Sequence, residues 1–317
     1  SAAPQVIKAA MKASEGQEIV DGYTWSYAIR NGGASIEAPR GKYGCAVSPN
    51  PDGSVVIPAK LGGVNVTRIG RQAFARCHSL TSVTIPPTVT SIGMSAFYEC
   101  RFDSVEIPPS VKEIESLAFY NNRCLKSVEV PEGVTSIGDE AFGFCADLES
   151  VVLPSTLVNI GRGVFACGGK RLRSIFVSPK NPKYAMYNDL LCTKDGRRVL
   201  ASVGGDVLIP EGVVNIDDKA FLQCSGLTSV SISASVERIS DSAFEWCEGI
   251  ESFSVSPDNG MYSSPNGLLC SKDGKTLISG VNGYVRIPDG VTDIEKWAFA
   301  GRRWLTTVTI PSSVKRI

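Results

Sequence analysis

The sequence predicts an α/β solenoid, a fold in which short repeats stack along one axis. One phrase recurs through most of the chain, as in VTSIGDEAFGFCADLESVVLP (134–154) and VTRIGRQAFARCHSLTSVTIP (66–86). The proline that ends each phrase, or the serine in its place, returns mostly after 22–24 residues and twice after 32. A repeat period in this range is the sequence signature of stacked-repeat architectures.

The end of each phrase predicts a short β-strand. In SVVLP, Val151 and Leu153 alternate with Ser150 and Val152, which is the period of two expected for a strand. Pro154 closes the strand because proline cannot donate to a β-ladder. About 11 such strands are expected to run parallel and to form one sheet on one face of the solenoid. They are centred near Val55, Val83, Val105, Val128, Val151, Ile175, Val207, Val230, Phe253, Val285 and Val308.

The middle of each phrase predicts a short helical segment on the other face. Its apolar residues fall at i, i+4, i+5, i+8 and i+11, which places them on one side of a helix. In the copy that ends at Pro154 they are Ile137, Ala141, Phe142, Cys145 and Leu148. One strand and one helical segment per repeat, with an L-x-x-V-x-I core, are typical of a leucine-rich repeat.

Equivalent positions are expected to stack into ladders inside the solenoid, because each repeat covers the apolar edges of its neighbours. One ladder consists of the phenylalanines Phe74, Phe97, Phe119, Phe142, Phe165, Phe221, Phe244 and Phe299. A second ladder consists of the isoleucines Ile69, Ile92, Ile114, Ile137, Ile160, Ile216, Ile239 and Ile294.

The two steps of 32 residues indicate two hairpin inserts, near 178–206 and 256–284. SPKNPKYAMYNDLLCTKDGRRVLASV in the first matches SPDNGMYSSPNGLLCSKDGKTLISGV in the second, at an offset of 78 residues. Each has Lys-Asp-Gly between two apolar runs, and Asp-Gly is a strong hairpin-turn signal. We therefore interpret Lys194, Asp195 and Gly196 as a turn and not as a charged site.

The chain divides into an N-terminal segment with a capping hairpin, residues 1–53, and a repeat solenoid, residues 54–317. A short helix is predicted from Gln5 to Ala13. In YTWSYAIRNGGASIE, Trp25 and Tyr27 lie on the same side of a strand that precedes a turn signal. This pattern predicts a hairpin that hides the open end of the first repeat, as terminal repeats must.

Composition argues against several function classes. The chain has 32 basic and 32 acidic residues, so its formal net charge is zero. Neither a nucleic-acid partner nor an anionic membrane surface is expected, because both require a basic surface. No apolar run is long enough to span a bilayer. No phosphate loop or metal motif occurs, and no cofactor is expected.

The ten cysteines raise the question of a metal site or of disulfides. No C-x-x-C pair occurs and His78 is the single histidine, so no zinc site is expected. No catalytic motif is found, and we predict no enzymatic activity. Two interpretations stay open: buried thiols, or one or more disulfides. Seven cysteines are assigned to one repeat position: Cys77, Cys100, Cys124, Cys145, Cys167, Cys224 and Cys247.

The motif S-I-G-x-x-A-F-x-x-C-x-x-L-x-S-V-x-I-P resembles the BspA-like leucine-rich repeats of bacterial and some protist surface proteins. The resemblance covers about residues 54–317, and most copies keep the Ala-Phe pair. It implies a secreted or cell-surface protein that binds other proteins or host surfaces.

The exposed side of the strand sheet is the first candidate for a binding surface, because solenoids use extended surfaces to bind partners. Three consecutive strands place Val152, Phe176 and Leu208 at the outward mid-strand position, which predicts one apolar patch. Glu106 and Glu129 lie beside it and would form an acidic rim. In the alternative interpretation, the first insert folds back and covers Phe176 and Leu208.

The leading hypothesis is therefore a non-enzymatic protein-binding or adhesion module. Its partner would be a protein, with host-surface and extracellular-matrix proteins as candidates. A second hypothesis is a structural spacer that displays a further domain attached past Ile317, where the repeat pattern stops part-way. A third is a glycan-binding module, which would need a row of exposed aromatic side chains.

Overall fold

The computed structural model describes residues 14–38, 44–166 and 171–317. The chain forms a β-solenoid of about eleven rungs, where a rung is one repeat of the chain around the axis. A typical rung contributes a strand to a front face, a strand to a back face, and a run of tight turns to a turn face. The helix predicted for Gln5 to Ala13 lies outside the described residues.

Antiparallel strands precede the first complete rung. They are β1 (Ser14–Val20), β2 (Tyr23–Arg30), β3 (Gly33–Ile36) and β4 (Val47–Ser48). β2 pairs with the other three, and Asn31 and Gly32 form its turn into β3, both with positive φ. The ring of Trp25 is 1% exposed and packs edge-on against Phe74 of the first rung, with centroids 6.1 Å apart. The hairpin therefore covers the end of the apolar core.

Ten parallel strands form the front face, at ten of the eleven expected positions. They are β5 (Gly53–Val56), β8 (Leu80–Thr84), β11 (Ser127–Glu129), β13 (Ser150–Leu153), β15 (Ser174–Val177), β19 (Val207–Ile209), β21 (Ser229–Ile232), β23 (Ser252–Val255), β27 (Gly283–Arg286) and β29 (Leu305–Thr309). Equivalent residues pair, as Val151 does with Val128 and Ile175. The single sheet that we expected is wrong, because the strands form four: β5–β8, β11–β13–β15, β19–β21–β23 and β27–β29.

The first interruption of the front face lies around Val105. A front strand was expected there, and none forms in this described segment. Four residues separate Cys100 from Val105, one fewer than in the neighbouring rungs. The shorter connection places Phe102, which is fully buried, where the preceding rung has Leu80. The missing residue thus lies between Cys100 and Phe102, just before the expected strand. The other two interruptions coincide with the inserts.

Shorter strands form the back face. They are β7 (Val64–Ile69), which forms a hairpin with β6 (Lys60–Leu61), then β9 (Ser91–Ile92), β10 (Glu113–Ile114), β12 (Ser136–Ile137), β14 (Asn159–Ile160), β18 (Arg198–Ser202), β20 (Asn215–Ile216), β22 (Arg238–Ile239), β26 (Thr276–Ser279) and β28 (Asp293–Ile294). Consecutive rungs pair in parallel within each uninterrupted stretch. The isoleucine ladder is confirmed: its members are buried, except that Ile160 is half-buried.

The turn face contains no α-helix in any described rung, so the helical segments and the α part of the expected fold are wrong. Backbone N–H groups alternate between two kinds of partner. Ala73 donates to the Gly70 carbonyl of its own rung, whereas Phe74 donates to Ala96 of the next rung at 2.8 Å. Arg76 has a left-handed φ of 62°. An α-helix needs negative φ throughout and bonds to the residue four back, and neither condition holds.

The phenylalanine ladder is confirmed from Phe74 to Phe244 and runs beneath the turn face, whereas Phe299, which was assigned to it, is half-buried. Centroid separations of 5.2 Å join the stacked rings of Phe74, Phe97, Phe119 and Phe142 in turn. Phe165 continues the stack at 6.2 Å, and beyond the first insert Phe221 and Phe244 stack at 5.0 Å. Dispersion between large parallel faces, together with burial, gives each ring contacts on both sides.

The repeated cysteine position supplies a donor to the phenylalanine backbone of the previous rung. The thiol of Cys100 donates to the Phe74 carbonyl at 3.2 Å, and Cys145 and Cys247 make equivalent bonds. In the rung between Cys100 and Cys145, Asn122 fills this position, and its amide donates to the Phe97 carbonyl at 2.8 Å. Assigning Cys124 to this ladder is therefore wrong.

The thiols in the described residues are free, and Cys167 lies outside those residues. Cys145 and Cys247 are fully buried, and burial raises the pKa of each to about 12. They are therefore protonated near neutral pH, as their role as hydrogen-bond donors requires. Of the two interpretations left open, buried thiols describe these ladder positions.

Each insert is a hairpin that joins the back face. In the first insert, β16 (Tyr184–Tyr187) pairs with β17 (Leu190–Thr193). In the second, β24 (Tyr262–Ser263) pairs with β25 (Leu269–Ser271), and a 3₁₀ turn at Pro265–Gly267 connects the two strands. Buried Asn181 donates to the carbonyls of Pro154 and Leu157, and its Oδ1 accepts from two backbone N–H groups. Asn259 makes the same set of contacts 78 residues later. Asp195 accepts from Thr193 and the Arg197 N–H, so it is a turn residue as interpreted.

Replacing Phe119 by alanine should lower the free energy of unfolding by about 3–5 kcal/mol. The ring is fully buried and stacked on both sides, so its loss leaves a cavity in the ladder. Phe176→Ala is the matched control, because that ring is 53% exposed and should cost less than about 1 kcal/mol. Urea unfolding followed by circular dichroism measures both. Equal losses would contradict the ladder as a main source of stability.

Asn122→Cys should leave stability unchanged or raise it by about 1 kcal/mol. The buried Oδ1 of Asn122 has no hydrogen-bond partner, and a thiol at this position keeps the donor without that oxygen. Asn181→Cys is the matched control, since both ends of its amide are satisfied, and it should destabilise by about 2 kcal/mol or more. The same urea titration decides, and a large loss in Asn122→Cys would refute this account of the ladder.

Candidate functional site

The front strands alternate between core and surface, which fixes the residues that a partner can reach. In β13, Val151 and Leu153 are at most 1% exposed, whereas Val152 between them is 37% exposed. The same alternation places Phe176 outside in β15 and Leu208 outside in β19. Each of these side chains projects from a short strand whose inward neighbours are held in the core, so its position is fixed by the fold.

The front patch consists of Val152, Phe176 and Leu208. Register pairs Val152 directly with Phe176 on the neighbouring strand, so these two side chains lie side by side. Leu208 is on the next front strand along the chain, but β15 and β19 belong to separate sheets. Strand pairing therefore brings Val152 and Phe176 together, whereas Leu208 lies across the interruption between the two sheets.

The first insert does not cover the front patch. Phe176 is 53% and Leu208 is 61% exposed, so the alternative in which the hairpin folds over them is wrong. The insert extends the back face instead, where its last strand β18 runs parallel to β20. Tyr184 attaches it there, because its hydroxyl accepts from the Ile160 N–H at 3.0 Å. The front patch is left open to solvent.

Acidic side chains border the patch on one side. Glu129 is exposed and pairs in register with Val152, so it lies next to the apolar pair. Glu106 is also exposed, but it lies in the rung that forms no strand. Neither carboxylate forms an ion pair within the described residues.

Two further carboxylates near the patch were not identified from the sequence. Glu132 accepts from the backbone N–H and the hydroxyl of Ser155, and these bonds hold the pKa of its carboxyl below the usual value. Asp206, two residues before Leu208, accepts from the hydroxyls of Thr228 and Ser229, which lower its pKa in the same way. For each carboxylate, the residues that donate these hydrogen bonds belong to the following rung. Both carboxylates are therefore anionic at neutral pH.

A second aromatic row lies on the turn face but offers its ring edges to solvent. Tyr98 stacks on Tyr120 at 5.3 Å, and Tyr120 packs against Phe144 at 4.8 Å, so each ring covers part of the next. On the front face, the exposed aromatics of the described strands are Phe176 and Tyr284, which lie on β15 and β27 with three front strands between them. Within the described front strands, exposed aromatic side chains thus do not follow one another in a row.

The residues considered for catalysis and metal binding stay apart. Cys77 is buried, while the neighbouring His78 is exposed and its Nδ1 contacts the Glu99 carbonyl oxygen at 3.0 Å. No cluster of three potential metal ligands occurs among the described side chains. Within the same ranges, no helix has the length and apolar character needed to cross a membrane.

The architecture defines a protein built from leucine-rich repeats. The family model described as the BspA type leucine rich repeat region matches residues 55–178, 205–268 and 281–317 in six copies. These ranges cover more than half of the chain, and the chain belongs to this family. No curated protein matches it.

Three solved structures with a similar fold are bacterial proteins. A leucine-rich repeat protein from Eubacterium ventriosum is 20% identical, with a TM-score of 0.59, over 92% of this chain and 84% of that one. The pneumococcal vaccine antigen PcpA is 17% identical, with a TM-score of 0.58, over 94% and 82%. A leucine-rich cell surface protein from Faecalibacterium prausnitzii is 25% identical, with a TM-score of 0.56, over 95% and 90%.

Exposure of the front patch can be measured by thiol labelling. Phe176→Cys should react with iodoacetamide at least about tenfold faster than Ile175→Cys, because accessibility controls alkylation. Ile175 is the matched control, since it is 6% exposed on the same strand and faces the core. Peptide mass mapping separates the new thiol from the native ones. Equal protection of both thiols would mean that another segment covers the front face.

Proposed function

We propose that the chain is a non-enzymatic protein-binding module that uses the front patch as its contact surface. The observation that carries this proposal is the direct pairing of Val152 with Phe176, both exposed, followed by exposed Leu208. Contiguous apolar surface costs solubility and marks interaction sites more often than chance. Aromatic anchors such as Phe176 are also enriched at the centres of interfaces.

The same proposal places the protein outside the cell, secreted or displayed on the cell surface. Membership of the BspA-type family supports this location. So do the printed descriptions of two structural relatives, one a cell surface protein and the other a vaccine antigen. Adhesion to host-surface or extracellular-matrix proteins is the form of binding that fits such a location.

The charges around the patch indicate the chemistry of the partner. Glu129, Glu132, Glu106 and Asp206 border or flank the apolar residues, and the hydrogen bonds to Glu132 and Asp206 favour their charged forms. Like charges across an interface cost several kcal/mol, whereas complementary ones steer association. The partner surface that fits is an apolar side chain flanked by lysine or arginine.

Glycan binding is less well supported than protein binding. Sugar rings stack on exposed aromatic faces, and the aligned row of Tyr98, Tyr120 and Phe144 has its faces turned toward one another. Phe176 and Tyr284 lie too far apart on the front face to hold neighbouring sugars. The spacer hypothesis needs no front patch, and the experiment below separates it from binding.

Phe176→Ser and Leu208→Ser should each raise the Kd for a captured protein at least about tenfold, since truncating an interface anchor removes buried apolar contact. Surface plasmon resonance against a panel of purified extracellular-matrix proteins provides the measurement. Val56→Ser is the matched control, because Val56 is 59% exposed on front strand β5, away from the patch. Binding should also weaken as salt rises, because the rim charges become screened.

Two outcomes would count against the proposal. Equal binding by wild type, Phe176→Ser and Leu208→Ser would remove the front patch from the interface. No capture by any protein of the panel would favour the spacer. Circular dichroism of each variant keeps a loss of binding distinct from a loss of folding.

A further inference from the structure

Three consecutive rungs near the N-terminal end of the solenoid carry an exposed basic side chain at the same repeat position, four residues after the ladder phenylalanine. These residues are His78, Arg101 and Arg123. Backbone bonds hold the rungs in register two residues earlier, where the Arg76 N–H donates to the Tyr98 carbonyl at 2.7 Å. The Glu99 N–H donates to the Tyr120 carbonyl at 2.9 Å. The three basic side chains are therefore about one strand spacing apart from rung to rung.

The basic run is confined to this end of the solenoid. The same position holds Ala146 in the next rung, and Ser225 and Glu248 further along. Arg303 places a cation there again in the last rung, but its Nη1 lies 3.8 Å from a carboxylate oxygen of Glu248. A formal net charge of zero therefore hides an uneven distribution, with basic side chains here and carboxylates around the front patch.

The three basic side chains line one surface cavity of about 470 Å³. The cavity is also lined by Glu99, Cys100, Asn121 and Cys124. Hydrogen bonds fix part of its wall. The Nε of Arg123 donates to the Oδ1 of Asn121 at 2.8 Å, which leaves both terminal nitrogens of the guanidinium for a ligand. The ring of His78 is held by the contact of its Nδ1 with the Glu99 carbonyl oxygen at 3.0 Å.

The charge at this cavity is positive. Glu99 is the single carboxylate among the described residues that line it, and the Nε of Arg76 lies 3.3 Å from the Glu99 carboxylate. Asp103 is exposed but does not line the cavity. Arg101 and Arg123 form no ion pair with another described residue. Two guanidinium groups without a counter-charge thus line the same cavity.

We propose that this cavity binds sulfate groups of a sulfated glycan through Arg101 and Arg123. The planar fork of a guanidinium donates two parallel N–H bonds to an oxyanion, and such charge-assisted bonds are stronger than those between neutral groups. The glycan needs no row of exposed aromatic side chains here, because charge and not ring stacking holds it.

The distribution of the cations favours a sulfated glycan over other anions. A phosphate monoester carries nearly two charges on one group. The cations here are spread over successive rungs, so singly charged sulfates spread along a chain match them better. Tight binding of a nucleic acid requires many phosphate contacts, whereas this run spans three rungs. The choice of a glycan also rests on the extracellular location in the proposed function.

Isothermal titration calorimetry of the full chain with a heparin tetrasaccharide tests the site. The double variant Arg101→Ala, Arg123→Ala should raise the Kd at least about tenfold, because hydrogen bonds between charged groups are lost. Arg303→Ala is the matched control, since Arg303 is an exposed arginine at the same repeat position outside the cavity, and it should bind as wild type. Arg101→Lys with Arg123→Lys should recover only part of the affinity, because an ammonium group cannot form the fork.

The same tetrasaccharide without its sulfates should not bind. Equal binding of the two tetrasaccharides would overturn the assignment to sulfate, as would displacement of the sulfated one by an equal concentration of inorganic phosphate. No binding by wild type would overturn the site. Equal affinities for wild type and the double alanine variant, or equal losses in that variant and in Arg303→Ala, would do the same.

Phe176→Ser separates this site from the front patch. It should bind the tetrasaccharide as wild type does, because the front patch and the cavity share no residue. Failure to capture any matrix protein, with the tetrasaccharide still bound, would overturn the front patch and not this site. The reverse result would overturn this site and not the front patch. Circular dichroism checks that each variant is folded.

Discussion

The structure depends on backbone hydrogen bonds that run from each rung to the next. On the turn face, every second N–H leaves its own rung, as Phe74 does toward Ala96 and Phe97 toward Ala118, both at 2.8 Å. These bonds hold equivalent residues about one strand spacing apart. The side chain at a given repeat position therefore contacts the side chains at the same position in the rungs before and after it. Stacked phenylalanines and buried thiols follow from that constraint. The left-handed residues that direct the N–H groups outward cost conformational energy, which the bonds offset.

The same constraint separates stability from recognition. Inward positions must match their neighbours, whereas an outward position such as Phe176 contacts solvent and the adjacent outward side chains. Outward residues therefore vary from rung to rung: Glu129, Val152 and Phe176 follow one another on three paired strands whose inward residues are all aliphatic. A binding surface of new chemistry needs only these positions to change.

Much of the fold could be predicted from the sequence, because period-two strands and repeated core positions are local patterns. The turn face could not. Its left-handed positions hold Gln72, Ser95 and Leu117, and none of these is the glycine or asparagine that usually marks a left-handed residue. The apolar residues of the same segment have the spacing of a helix. At the site, the pairing of Val152 with Phe176 followed from the repeat register. The lowered pKa of Asp206 did not, because its hydrogen-bond donors belong to the next rung.

The two inserts have a consequence for how such a chain can change over generations. Asn181 and Asn259 anchor their hairpins by the same contacts, so the 78 residues between them begin and end in equivalent surroundings. Unequal recombination between the two copies of the gene segment would delete or duplicate a whole block and leave every junction in register. One such exchange would lengthen or shorten the front surface by a whole block.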